Sequence, residues 1–146
     1  MSTLASNRAF LAYAVSLLVL SLNLTVLWAY SAVVRGKSKT TPNEEDLGRG
    51  NKLLPDNPPE VARVLRAHAN AMANIVPFAI LGLVYVLAGG SGIAAAAIFG
   101  VFTAARLAHS FAYLGGRQPW RTVFFSLGAV TTLVLMGFVV RAIVVS

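Results

Sequence analysis

A polar helix face leads into an apolar stretch in the segment RVLRAHANAMANIVPF. At about 100° per residue, one face of a helix there carries Arg63, Arg66, Asn70 and Asn74. Polar groups are costly inside a membrane, so this face suggests ligand binding, while His68 points elsewhere. Arginines near a helix end can instead extend to lipid head groups, an alternative that stays open for Arg63 and Arg66. The alternative for the deeper Asn70 is a hydrogen bond between helices.

A second polar face is predicted from the segment RLAHSFAYLGG. Spacing of i, i+3, i+4 and i+7 aligns Arg106, His109, Ser110 and Tyr113. Arg106 lies about two helical turns inside its predicted span, where an arginine needs a partner. Apart from Glu60 at the very start of the second, no predicted span contains an acid, so a bound anion would satisfy Arg106. His109 could equally be a hydrogen-bonded histidine between helices, and tyrosines such as Tyr113 are ordinary at membrane interfaces.

The last apolar stretch opens with Arg121 and Thr122. Arg121 belongs at the membrane surface, and it could also point into the space that Arg66 and Arg106 face. Three arginines with an asparagine, a histidine and a tyrosine would then surround one pocket. Such a pocket suits an anionic ligand with many hydrogen-bonding groups.

The composition predicts an integral membrane protein. The chain has 146 residues, of which 57% are hydrophobic and only 12% charged, whereas soluble domains carry about 25% charged residues. Mean hydropathy is +0.72. The net charge of +7 comes from basic residues at the ends of apolar stretches, so it indicates membrane topology and anionic lipids as partners rather than nucleic acid.

Several kinds of chemistry are excluded by residue type. The chain has no cysteine, so disulfides, thiolate metal sites and a cysteine nucleophile are absent, and any thiol must come from a substrate. With two histidines, and with acids only between Glu44 and Glu60, no metal site is expected in the membrane. The first apolar stretch is too long for a signal-peptide core, so no cleavable signal is expected.

Four transmembrane helices in a single membrane domain, residues 1–146, are predicted. They span about 8–34, 60–87, 93–115 and 119–144. Arg35-Gly36-Lys37 is expected to end the first helix, and residues 35–59 read as a polar surface loop. Ala88–Gly92 and Gly115–Pro119 are the other turns. The fold class is therefore an all-α membrane bundle.

The distribution of cations predicts the orientation. One side of the membrane collects Arg35, Lys37, Lys39, Arg49, Lys52, Arg63, Arg66, Arg117 and Arg121. The other side has only Arg8 and Arg141. Because cytoplasmic loops are enriched in lysine and arginine, we expect loops 35–59 and 115–119 in the cytoplasm and both termini on the opposite side.

Three motifs in order resemble the MAPEG family, the membrane-associated proteins of eicosanoid and glutathione metabolism. They are RxxRAHxN…PF from Arg63, RxAHxxAYLG from Arg106, and PxR ending at Arg121. The NEED segment at Asn43 to Asp46 also resembles a family loop motif. Each piece is short, but their order and spacing together are fairly specific, and the likeness covers roughly residues 30–125.

The resemblance implies a homotrimer that binds glutathione between subunits near the cytoplasmic side. By the same resemblance, the glutathione ligands match Arg66, Asn70, Arg106, His109, Tyr113 and Thr122. Arg121 matches the catalytic arginine that stabilises the glutathione thiolate, and a cation beside a thiol does favour the nucleophilic form. A lipophilic second substrate would enter from the bilayer.

The sequence departs from the family pattern at several positions. Ala73 stands where the family has a glutamate that would pair with the ammonium of a ligand. The other departures are Ala62, Ala69, Thr122 and Phe125. Three readings stay open: the ligand is a different anion, glutathione binds weakly or in another pose, or the chain keeps the fold without the chemistry.

Three functions compete at this point. The first is a glutathione-dependent transferase, peroxidase or isomerase acting on lipophilic electrophiles. The second is a non-enzymatic protein of the same fold, either an accessory subunit of a larger membrane complex or a lipid-binding scaffold, since its alanines suit close helix packing. An anion channel or transporter is the third, although no pair of broken helices or inverted repeat supports it.

Overall fold

The computed structural model describes residues 4–145, and four long helices dominate it. They are α1 (Arg8–Ser38), α2 (Pro59–Leu87), α3 (Gly92–Leu114) and α4 (Trp120–Val145). Each is long and apolar enough to cross a membrane. The prediction of an all-α protein with four membrane-spanning helices is confirmed, and large apolar side chains such as Leu18 and Ile93 cover its outer surface.

Local chemistry explains where the helices begin. The Asn7 side chain caps α1, because its Oδ1 accepts hydrogen bonds from the backbone N–H groups of Ala9 and Phe10 at 2.9 and 3.2 Å. Helix α2 starts with Pro59 and Glu60. Proline suits the first position because a backbone N–H there would have no partner, and the Glu60 carboxylate is stabilised by the positive end of the helix dipole.

The first helix runs further than the charges suggested. Arg35 and Lys37 were expected to end it, but α1 continues to Ser38 and stops at Lys39, whose φ is 50°. Cations are favourable in the last turn of a helix, because its carbonyl end is partially negative. The charges therefore mark the end of the membrane span and not the end of the helix.

The polar segment after α1 has secondary structure of its own, which we did not predict. Two short parallel strands, β1 (Thr40–Thr41) and β2 (Lys52–Leu53), flank a 3-10 helix at Glu44–Arg49. The buried Thr41 holds the segment together: its Oγ1 donates to Asp46 Oδ2 at 3.3 Å and accepts from the backbone N–H of Asn43 at 3.1 Å.

Helices α2 and α3 form the centre of the bundle. Both pack against α1 and against α4, while no contact joins α1 to α4 in the described part of the chain. Aromatic rings fill the interior: Phe78 and Phe102 stack with centroids 3.5 Å apart, and Phe99 packs edge-on against Phe78 at 5.8 Å. This rigid centre positions the polar ends of α2 and α3 next to the start of α4.

Gly82 lies where α2 crosses α1 and α3, and Gly82→Ala is expected to destabilise the bundle. A Cβ there would lie 3.1 Å from Phe99 Cε1 and 3.1 Å from Tyr13 Cδ2. The Phe99 ring cannot move easily, because it is fully buried and packs on Tyr13. Overpacking of this kind lowers the free energy of unfolding by about 1–3 kcal/mol. Thermal unfolding in detergent would measure it.

Gly100→Ala is the matched control, because it makes the same change on α3 with no atom within 4 Å of the added Cβ. Alanine is the better helix former, so this variant should be unchanged or up to about 1 kcal/mol more stable. Equal free energies of unfolding for the two variants would show that the helices are not tightly packed at Gly82.

Candidate functional site

A cavity of about 230 Å³ opens at the end of the bundle where α3 ends and α4 begins. Its lining residues are Asn70, His109, Tyr113, Arg121, Thr122 and Phe125. Five of these are among the seven predicted site residues, drawn from three different helices. Phe125 is not among those seven, because a lone phenylalanine in an apolar span does not indicate a site.

Arg121 lies on the wall of this cavity with its guanidinium against an aromatic face. Its Cζ is 4.7 Å from the centroid of the Tyr113 ring, which is a cation–π distance. With the Gln118 amide oriented to satisfy its neighbours, the amide oxygen accepts from Arg121 Nη2 at 2.8 Å and Nε at 3.3 Å. The Gln118 nitrogen then donates to Thr122 Oγ1 at 3.2 Å.

Gln118 was missed from the sequence, since it lies in the turn and outside any helical face. The turn that presents it contains Gly116 at φ 64° and a cis peptide bond before Pro119. Gln118 is neutral, and no carboxylate pairs with Arg121 among residues 4–145. Its remaining N–H groups are available to an anion.

Arg106 lies behind the cavity rather than in its wall. It is fully buried, with 0% of its surface exposed, and its Nη2 donates to Asn70 Oδ1 at 2.7 Å and to the Asn70 backbone oxygen at 3.3 Å. Its Nε and Nη1 have no hydrogen-bond partner within the described residues. The space comes from Gly128 on α4, where a Cβ would lie 3.4 Å from Arg106 Cδ.

This contact determines what Asn70 can offer to a ligand. Its Oδ1 accepts from Arg106, so the amide nitrogen is the group of Asn70 that is left to donate to a ligand in the cavity it lines. Asn74 adds to the arrangement, because its Nδ2 donates to the Asn70 backbone oxygen at 2.8 Å. Arg106 thus holds the Asn70 side chain in one orientation.

His109 is almost fully buried, at 2% exposure, between two aromatic rings. Its ring centroid is 5.6 Å from that of Tyr113 and 6.2 Å from that of Phe125. Ser110 was predicted to share this face, but its Oγ accepts from Asn23 Nδ2 on α1 at 3.2 Å. One residue turns a helix by about 100°, which directs Ser110 towards α1 instead.

Arg66 lies outside this arrangement. It is exposed, and it does not line the cavity within a single chain. It precedes Asn70 by one turn of α2, further from the bundle centre. Its place in a ligand site therefore stays a prediction.

Ala73 lines a neighbouring cavity of about 250 Å³ between α2 and α4, together with Asn74 and Thr132. No carboxylate lines this cavity or the one at Arg121, as far as the described residues go. The two cavities together present one cation, Arg121, with amides and hydroxyls. This donor set can bind an anion and stabilise negative charge.

Comparison with known proteins assigns the family. The MAPEG family model matches residues 10–141. Human prostaglandin E synthase is 37% identical over 128 residues, which cover 86% of this chain and 84% of the human protein. Microsomal glutathione S-transferase 1 from Bos taurus is 35% identical over 141 residues, covering 91% and 90% of the two chains. The chain therefore belongs to the MAPEG family of multi-pass membrane proteins.

Proposed function

We propose that this protein is a glutathione-dependent transferase, peroxidase or isomerase that acts on lipophilic substrates. The observation that carries the proposal is the Arg121 guanidinium, held by Gln118 and the Tyr113 ring at the wall of a cavity without acids among its described lining. The names of the two relatives, a prostaglandin synthase and a glutathione transferase, support the same reaction class.

The side chains of the cavity fit the anionic groups of glutathione. Arg121, Thr122 and the Asn70 amide can donate hydrogen bonds to carboxylates and to a thiolate. The ammonium of glutathione lacks an acidic partner in the described lining, because Ala73 leaves only neutral groups on this part of α2. Glutathione is therefore expected to bind through its anionic groups.

Each cavity residue has a role that follows from its chemistry. Glutathione, when bound, supplies a thiol nucleophile for an electrophilic substrate. Arg121 stabilises the negative charge on sulfur, so we propose it as the catalytic residue. Tyr113 and Gln118 hold Arg121, while Asn70 and Thr122 orient the ligand. His109 and Phe125 exclude water from the inner wall.

The size of the cavity supports an oligomer. A volume of about 230 Å³ is small, since small-molecule sites usually occupy ~300–1,000 Å³. A homotrimer with the site completed by a neighbouring subunit would enlarge it, and the exposed Arg66 would then be free to reach a ligand bound there. Light scattering of the detergent-solubilised protein should give a protein mass three times that of the 15.4 kDa chain.

The orientation remains part of the proposal. Loops 35–59 and 115–119 are expected in the cytoplasm, which would place the cavity where glutathione is abundant. Labelling of single cysteines, placed one at a time at Lys37 and at Ser6 in this cysteine-free chain, would report which end is accessible from the cytoplasm.

Calorimetric titration with glutathione and a conjugation assay with a lipophilic electrophile test the proposed function together. We expect saturable binding and turnover by the purified oligomer. No binding at millimolar glutathione, together with no conjugation, would overturn the enzyme proposal. The chain would then be a non-enzymatic member of the fold, and co-purification with a larger membrane complex would support that reading.

Ala73→Glu is expected to tighten glutathione binding about fivefold, because an acid near the ammonium adds roughly 1 kcal/mol of attraction. The matched control is Ala73→Gln, which has the same shape without the charge and should leave the Kd unchanged. Titration calorimetry measures both variants. Equal affinities in the two would show that the ammonium lies away from this face of α2.

A further inference from the structure

A second groove lies on the opposite side of the first turns of α4. Arg121, Thr122 and Phe125 face the cavity described above, whereas Trp120 and Phe124 face this groove between α3 and α4. Its volume is about 610 Å³, within the ~300–1,000 Å³ of small-molecule sites. The proposed function makes no use of this groove.

The groove is apolar along its length and cationic at one end. Ala108 and Ala112 on α3 and Gly115 directly after it form its floor, and its walls are aromatic. Phe111 is 74% exposed and Trp120 is 55% exposed, and the Trp120 and Phe124 rings stack with centroids 5.9 Å apart. These side chains belong to the membrane-spanning helices.

Arg117 lies at the mouth of the groove, just beyond the end of α3. Its side chain lies across Gly115, where a Cβ would be 3.5 Å from Arg117 Cγ and 3.6 Å from its Nε. Arg63 is close to the same turn, because a Cβ on Gly116 would lie 3.3 Å from Arg63 Nη1. No acid lines the groove within the described part of the chain.

We propose that this groove binds an anionic glycerophospholipid, with the acyl chain between Phe111 and Trp120 and the phosphate at Arg117. An apolar trough with a cation at its membrane-surface end matches an amphiphile with an anionic head. Tryptophan prefers this depth in the bilayer. A second copy of the chain is a poorer match, because it carries twelve basic residues against five acidic ones.

Native mass spectrometry of the oligomer tests this proposal, with equal amounts of phosphatidylglycerol and phosphatidylcholine carrying the same acyl chains. The wild type should retain phosphatidylglycerol about fivefold over phosphatidylcholine, the ratio expected for a single arginine at the surface. Arg117→Gln should abolish this preference. Ala108→Phe fills the floor and should reduce retention of both lipids.

Arg141→Gln is the matched control, since it removes one arginine at the opposite end of α4 and should keep the preference. Equal retention of the two lipids by the wild type would overturn the proposal, as would an unchanged preference in Arg117→Gln. Displacement of the lipid by free glycerol phosphate would also overturn it, because the head group alone would then account for binding. Conjugation activity is a separate measurement, so this result does not depend on the proposed function.

Discussion

Arg121→Ala is expected to lower kcat/KM for glutathione conjugation about 100-fold, the usual effect of removing one preorganised donor from a developing negative charge. The guanidinium is held in place by Gln118 and the Tyr113 ring, so little reorganisation is needed when charge develops on sulfur. No other cation lines the described cavity, so nothing can replace Arg121. Steady-state kinetics with a lipophilic electrophile measures the loss.

Two further variants separate charge from geometry. Arg121→Lys keeps the charge but cannot reproduce the paired hydrogen bonds to Gln118, so kcat/KM should fall about tenfold. Arg141→Ala makes the same charge change at the far end of α4 and should retain full activity. If Arg121→Ala were as active as the wild type, Arg121 would not be catalytic and the reaction would need another centre.

Local features of the sequence were enough to predict the helices. Hydropathy and turn chemistry act over a few residues, so the uncharged stretch Phe10–Val34 and the glycines after Leu87 indicated the spans directly. The secondary structure within residues 35–59 depends on Thr41. Its buried hydroxyl forms hydrogen bonds with Asn43 and Asp46, two and five residues further along the chain. Composition alone does not reveal such a contact.

The candidate site was predictable as a set of residue types but not as an arrangement. Helical spacing grouped Asn70 with Arg66, and Arg106 with His109. It could not show that Arg106 bonds to Asn70 from within the core, because that depends on the room left by Gly128 on another helix. The same limit applies to Gln118, whose orientation follows from the geometry of a turn.

The hydrogen bond between Arg106 and Asn70 predicts opposite effects on the free energy of unfolding for variants of its two residues. Asn70→Ala removes the 2.7 Å partner of a fully buried guanidinium whose Nε and Nη1 already lack partners in the described structure. Leaving a buried charged donor without its hydrogen-bond partner typically costs about 3 kcal/mol. We expect that loss in the free energy of unfolding, measured in mixed detergent micelles.

Arg106→Met is expected to be neutral or to stabilise the protein by about 1–2 kcal/mol, because a flexible apolar side chain of similar length removes the desolvated charge. Asn70 is only partly buried, so its freed Oδ1 can be hydrated from the cavity. Glutathione affinity should nevertheless fall, since the Asn70 amide is no longer oriented. A stability effect alone would leave that affinity unchanged, so the titration separates positioning from packing.

The double variant Asn70→Ala/Arg106→Met completes the cycle. Once the buried charge is gone, loss of the Asn70 amide should cost only about 0.5–1 kcal/mol, the ordinary contribution of a neutral hydrogen bond. The coupling energy between the two positions is then about 2 kcal/mol, well above the error of such cycles. Additive effects of the two substitutions would contradict a direct interaction between Arg106 and Asn70. The guanidinium would then be satisfied by internal water, and Arg106 would not be the residue that orients Asn70.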